Sequence, residues 1–162
     1  MRKMFLLCML VPFFATSQTK NVVSYFRAFP KVYKVLEFEK ALKNHDQKYH
    51  TGDWKGWVLE IQSGPDAGGY HIVEAANSWE GIDGRGNLGT EHNNDWNKNV
   101  TIFLSERGSA GYSVYQDSLS TVALGDYSDK INITHWFPKN GWVGKMEDAI
   151  KNMKKAWQAG GQ

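Results

Sequence analysis

The 162 residues fit one domain with its own core, and 41% of them are hydrophobic. Nineteen Lys and Arg stand against 17 Asp and Glu, a formal net charge of +2 carried by two cations in the first three residues. The rest of the chain is neutral, which gives no electrostatic reason to expect nucleic acid or an anionic membrane as a partner.

Residues 1–17 read as a signal peptide. Arg2 and Lys3 form a charged start, Met4 to Ala15 an apolar run, and Ala15 and Ser17 place small residues correctly for cleavage before Gln18. The run is about a dozen residues, short of the roughly 20 that a membrane helix needs. Export follows as the expectation, to the periplasm or beyond, with no membrane association after cleavage. Cleavage removes Cys8, the single cysteine, so residues 18–162 form one domain held by a core and not by a disulfide.

Asn21 to Phe29 alternates as a strand and Pro30 stops it. From Tyr33 to Tyr49 the period lengthens. Val35, Phe38, Leu42, His45 and Tyr49 share one helical face, where His45 reads as a satisfied core histidine. Gly52 ends that helix. Trp57 to Gln62 and Tyr70 to Asn77 form a hairpin around a Gly- and Pro-containing loop. Gly84, Gly86 and Gly89 match the G-x-G-x-x-G spacing. A dinucleotide site would require a parallel βαβ unit around it and an acid about 20 residues on, and neither is present, so the segment reads as a loop.

Thr90 to Arg107 reads as a second helix, with Trp96, Val100, Phe103 and Leu104 as its apolar stripe. His92 and Asp95 lie three apart on one face. Two such ligands make no metal site without a third from elsewhere, so no metal is expected. Tyr112 to Tyr115 reads as a short strand. Ile131 to Phe137 alternates strictly as the last strand, stopped by Pro138, and Trp142, Met146, Ile150, Met153 and Trp157 define a final amphipathic helix. This last unit echoes the first at an offset of 108: Phe29, Pro30 and Lys31 return as Phe137, Pro138 and Lys139, and Val35 as Val143. The echo would give Arg27 and His135 matching places.

The predicted order is β-α-β-β-α-β plus a terminal helix: α+β, a ferredoxin-like antiparallel sheet with helices on one face. The other face would need a cover, and a second copy of the chain is the expected one, making a homodimer. If Trp57, Leu59, Val73 and Ala75 face the helices, then Glu60, Tyr70, Ile72 and Glu74 face away. Arg27 and His135 would join them in a polar cluster, either a ligand pocket or a structural ion-pair network.

The run Gly69 to Glu74, the Ser78-Trp79-Glu80 turn, and Glu91 and His92 through Trp96 resemble the dimeric α+β barrel superfamily. The whole chain also resembles small exported proteins of Bacteroidetes with this layout. The superfamily includes antibiotic-biosynthesis-type and haem-degrading monooxygenases. The resemblance implies Trp79 and His92 as site candidates and haem as an alternative cofactor. The strand asparagine of the haem-degrading members is absent here, where Ser24 stands, and no cofactor is expected. Three functions stay open: an exported dimer binding a small, partly aromatic ligand between sheet and helices; a cofactor-independent or haem-dependent monooxygenase; or a purely structural dimer. A cavity between sheet and helices would separate the first two from the third.

Overall fold

The computed structural model describes residues 19–84, 88–126 and 128–161. Both the signal segment and Arg85 to Asn87 of the glycine loop lie outside the described residues. The chain runs β1 (Val22–Pro30), α1 (Val35–Tyr49), β2 (Gly56–Glu60), β3 (Tyr70–Glu74), α2 (Trp79–Asp83), α3 (Gly89–Asp95), β4 (Leu104–Val114) and α4 (Val143–Ala159). The sheet is antiparallel, in the order β2-β3-β1-β4. This is the α+β, ferredoxin-like fold with an added C-terminal helix. Among the described residues no helix is long and apolar enough to cross a membrane.

Period-2 alternation in β1 sends Val22, Ser24, Phe26 and Ala28 to the helix side. There Ala28 packs with Phe38 and Leu42 of α1, with Tyr70 of β3 and with Val100, and Phe26, Ile72, Trp96 and Phe103 close around them. Phe38 is fully buried and meets the Tyr70 ring at 5.2 Å. The spacing Phe38, Leu42, His45 puts all three buried residues of α1 on one stripe. The hairpin between β2 and β3 closes through Ile61, whose N–H donates to Gly69 and whose carbonyl accepts from Gly68. Gly64 and Gly68 turn this loop at φ of 85° and 82°.

The second helix is shorter than its sequence period suggests. α3 ends at Asp95, passes through a π turn (Trp96–Val100) and a 3₁₀ turn (Thr101–Phe103), and becomes β4 at Leu104. The apolar spacing runs through all three conformations, because Val100, Phe103 and Leu104 serve one core whatever their backbone. The fourth strand of the sheet is therefore Leu104–Val114, and the strand read at Tyr112 to Tyr115 is its end.

Residues 131–137 form neither helix nor strand and, among the described residues, pair with no strand of the sheet. β4 already occupies the open edge of β1, from Val22↔Val114 to Pro30↔Leu104. Ile131 and Ile133 lie instead with Val122 and Leu124 over the sheet face opposite the helices, around a cavity of about 680 Å³. Their alternation serves packing onto a face and not pairing at an edge. The chain itself thus lines the face for which a partner copy was expected. The offset of 108 holds for the helices, since α1 starts at Val35 and α4 at Val143. It fails for the strands. Arg27 and His135 are not equivalents but neighbours, with Arg27 Nη2 2.9 Å from His135 Nε2.

Candidate functional site

The expected polar cluster is divided by the sheet. Cross-strand partners share a face, so Glu60 opposite Tyr70 and Gly56 opposite Glu74 place all three side chains on the helix side. Strand parity was legible and its sign was inverted: Trp57, Leu59 and Val73 line the opposite face. Tyr70 joins the core, and its hydroxyl donates to Glu39 Oε1 at 2.6 Å. Burial, with this bond and the Glu39 charge, pushes the Tyr70 phenol well above its ordinary range. Glu60 is exposed at the end of edge strand β2.

Arg27 and exposed His135 sit on the other face. Arg27 Nη1 donates to Asp66 Oδ2 at 2.5 Å, and Arg107 Nη2 reaches Asp66 Oδ1 at 2.5 Å. The partner of Arg27 is thus a hairpin-loop aspartate and not Glu60 or Glu74. His71, opposite Arg27 in the ladder, is held below its ordinary pKa by burial, with Arg27 and His135 adding to the shift.

A cavity of about 510 Å³ lies between the sheet and the helices. Its apolar wall includes Phe26, Leu42, Ile72, Leu88 and Trp96. Its polar wall comes from Ser24 of β1, Glu74 of β3, His45 and Asp46 of α1, His50 just after α1, and His92 of α3. Ser24 Oγ donates a short hydrogen bond to Glu74 Oε2, and both groups are buried. Tyr112 also lines the cavity, and Trp79 meets it edge-on at 5.6 Å. Trp79 itself is 49% exposed.

Three histidines converge here. His45 is 2% exposed and His92 9%, so neither belongs to a solvated face. His45 rings lie 4.8 Å from His92 and 5.3 Å from His50, centroid to centroid. His45 Nδ1 donates to Asp95 Oδ2 at 2.7 Å. His92 Nδ1 faces Asn93 Oδ1 at 3.1 Å, and His50 Nδ1 faces the Trp54 carbonyl at 3.3 Å, with Glu74 Oε1 at 3.6 Å. Burial holds His45 and His50 below their ordinary pKa, against the pull of Asp95 on the first and of Glu74 and Asp46 on the second. The hydrogen bond from His45 holds Asp95 below the usual carboxylate range, while burial pushes Asp46 above it.

Sequence reasoning placed His92 and Asp95 on one helical face but made both possible ligands. Asp95 instead turns to hold the back of His45. His50 went unread, because it stands five residues after His45, out of helical register. It returns to the cluster because the chain leaves α1 there, at φ −101° and ψ 67°.

No protein-family model matches the sequence, and no curated protein does. Among solved structures, the chain is similar to a "putative antibiotic biosynthesis monooxygenase" from Nitrosomonas europaea, at 17% identity over 57% of this chain and 95% of that one, with a TM-score of 0.45. It is also similar to a protein of the same description from Caulobacter crescentus, at 13% identity over 62% and 94%, TM-score 0.48. A third is Rv0793 from Mycobacterium tuberculosis, at 16% identity over 61% and 98%, TM-score 0.47. At TM-scores and identities this low, these likenesses carry no argument, and the fold rests on the chain's own strand order and the function on the residues of the site.

Proposed function

We propose that the protein is an exported binding protein for a small, partly aromatic molecule, held between sheet and helices. The observation that carries this reading is the cavity: about 510 Å³, apolar and aromatic on one wall, histidine- and carboxylate-bearing on the other. A space of that size falls in the range of small-molecule sites, and its few converging polar groups can orient one end of a ligand. A purely structural dimer gives no reason to keep Glu74, His45 and His92 buried around a void.

The test is a panel of small aromatic acids and phenols added to isotope-labelled protein. Binders should shift the resonances of Trp96, His92 and Ile72 together. Ala110→Trp, which fills the cavity from β4, should abolish those shifts while Val73 and His71 on the other face stay unmoved. Absence of any binder, or shifts confined to the other face, would overturn the reading.

Export rests on residues 1–17, and the intact mass of the exported chain should lack them. Assembly as a homodimer belongs to the same proposal. Trp136, Phe137, Trp142 and Trp157 are 53%, 89%, 52% and 47% exposed, more aromatic surface than a monomer commonly leaves bare. Light scattering at micromolar concentration should give twice the chain mass, and a clean monomer would defeat the claim.

A further inference from the structure

We infer that His45, His50 and His92 form a mononuclear site for a divalent transition-metal ion, zinc fitting best, with its open coordination position facing the cavity. One ring nitrogen from each residue lies within 4.8 Å of the other two. That proximity alone would be weak, and the hydrogen bonds behind the rings make the case. Every δ-nitrogen faces an acceptor: Asp95 for His45, Asn93 for His92, the Trp54 carbonyl for His50. Each acceptor calls for a proton on Nδ1. In neutral imidazole that leaves Nε2 with a bare lone pair.

Two of those lone pairs meet. His50 Nε2 and His92 Nε2 are 3.2 Å apart, within hydrogen-bond reach, but in the tautomers that the acceptors at Nδ1 favour neither Nε2 has a proton to donate to the other. The third, His45 Nε2, is buried and has no hydrogen-bond partner among the described residues. Three acceptors converging without a donor repel one another unless a cation lies among them. Zinc bonds to imidazole at about 2.0–2.1 Å, so two tetrahedral nitrogen ligands stand about 3.3 Å apart, close to the spacing of His50 and His92. Metal-bound histidines ordinarily donate their other nitrogen to a carboxylate, carbonyl or amide, and here all three do.

The surroundings match a dication. Asp46 and Glu74 line the cavity and Asp95 bonds His45, which supplies negative charge without occupying the three ligand positions. Three neutral nitrogens with one position left open is the ligand set of catalytic zinc; imidazole also suits copper, nickel and iron, whereas magnesium and calcium would call for oxygen ligands. His45, His50 and His92 all line the 510 Å³ cavity, so the open position is accessible to a ligand within it. This deepens the ligand-binding reading: the molecule would carry an oxygen donor, a carboxylate or phenolate, beside its ring. Metal uptake does not require that ligand, so the two proposals can fail separately.

The experiment uses untagged protein, stripped with a chelator and titrated with Zn²⁺ alone in a calorimeter. One ion per chain is expected. Co²⁺ should give visible bands of four-coordinate intensity that Zn²⁺ displaces. His50→Ala and His92→Ala should each lose at least about a hundredfold in affinity. If those variants fail to fold, the wild type still decides: Zn²⁺ should move the Nε2 nitrogen resonances of His45, His50 and His92, and leave His71 and His135 in place. No stoichiometric uptake, or uptake that leaves any of the three unmoved, would overturn the site. A proton shared between His50 and His92 would give that same negative result.

Discussion

His71 turns a strand position into a pH response. Its folded pKa lies below the 6.5 of a free histidine, chiefly through burial. The unfolded chain therefore binds more protons in the window just below 6.5. Stability from this residue is complete above that value and is lost as pH falls through the folded pKa. His45 and His50 are shifted the same way. Melting of the chelated protein should thus drop as pH is lowered from about 6.5, and His71→Gln should make that drop shallower. Arg27 and Glu74 permit a second check. Their side chains lie on opposite faces of the sheet, so Arg27→Met and Glu74→Gln should add in a melting cycle within about 0.5 kcal/mol. A large coupling would return them to one network. Asp66→Asn, by contrast, leaves two arginines short of a partner and should cost about 1–3 kcal/mol, largely recovered on adding Arg27→Met. At this scale the sequence was half legible. Alternation sorts Tyr70, Ile72 and Glu74 from His71 and Val73, but both sets contain apolar residues, so it does not say which set the helices cover.

At the scale of elements, α1 and α4 were readable because their apolar stripes run uninterrupted from Val35 and from Trp142. The passage from α3 to β4 was not, since no glycine or proline marks where helix becomes strand at Leu104. The π turn at Trp96–Val100 carries one residue more than an α turn, and such turns recur at functional sites. Deleting Asn97 should restore an α turn and rotate α3 by about 100° relative to β4. His92 would then leave His50, and a crystal structure of the variant should show that ring contact broken. The core under α1 gives a simpler expectation. Phe38 is fully buried against Ala28, Tyr70 and Val100, so Phe38→Ala should destabilise by about 3–5 kcal/mol in denaturant melts.

For the molecule as a whole, the ferredoxin-like plan followed from strands and helices in turn, although the strand that completes it lies some 27 residues earlier than the alternation at Ile131 suggested. Both segments alternate acceptably, and only the three-dimensional competition for the edge of β1 decides between them. That placement governs how the chain must fold. β1 is the first element of the sheet and lies inside it, between β3 and β4. Its neighbours arrive much later, with Tyr25 meeting Val73 and Val22 meeting Val114. The closure of such distant loops precedes the contacts that reward it, so folding should be slow for a chain of this size. Until residue 114 has emerged, an apolar strand stands with an open edge, a template for the wrong partner. A chain cut before Leu104 would keep that edge for good, and we expect it to aggregate even though α1, β2 and β3 are all present.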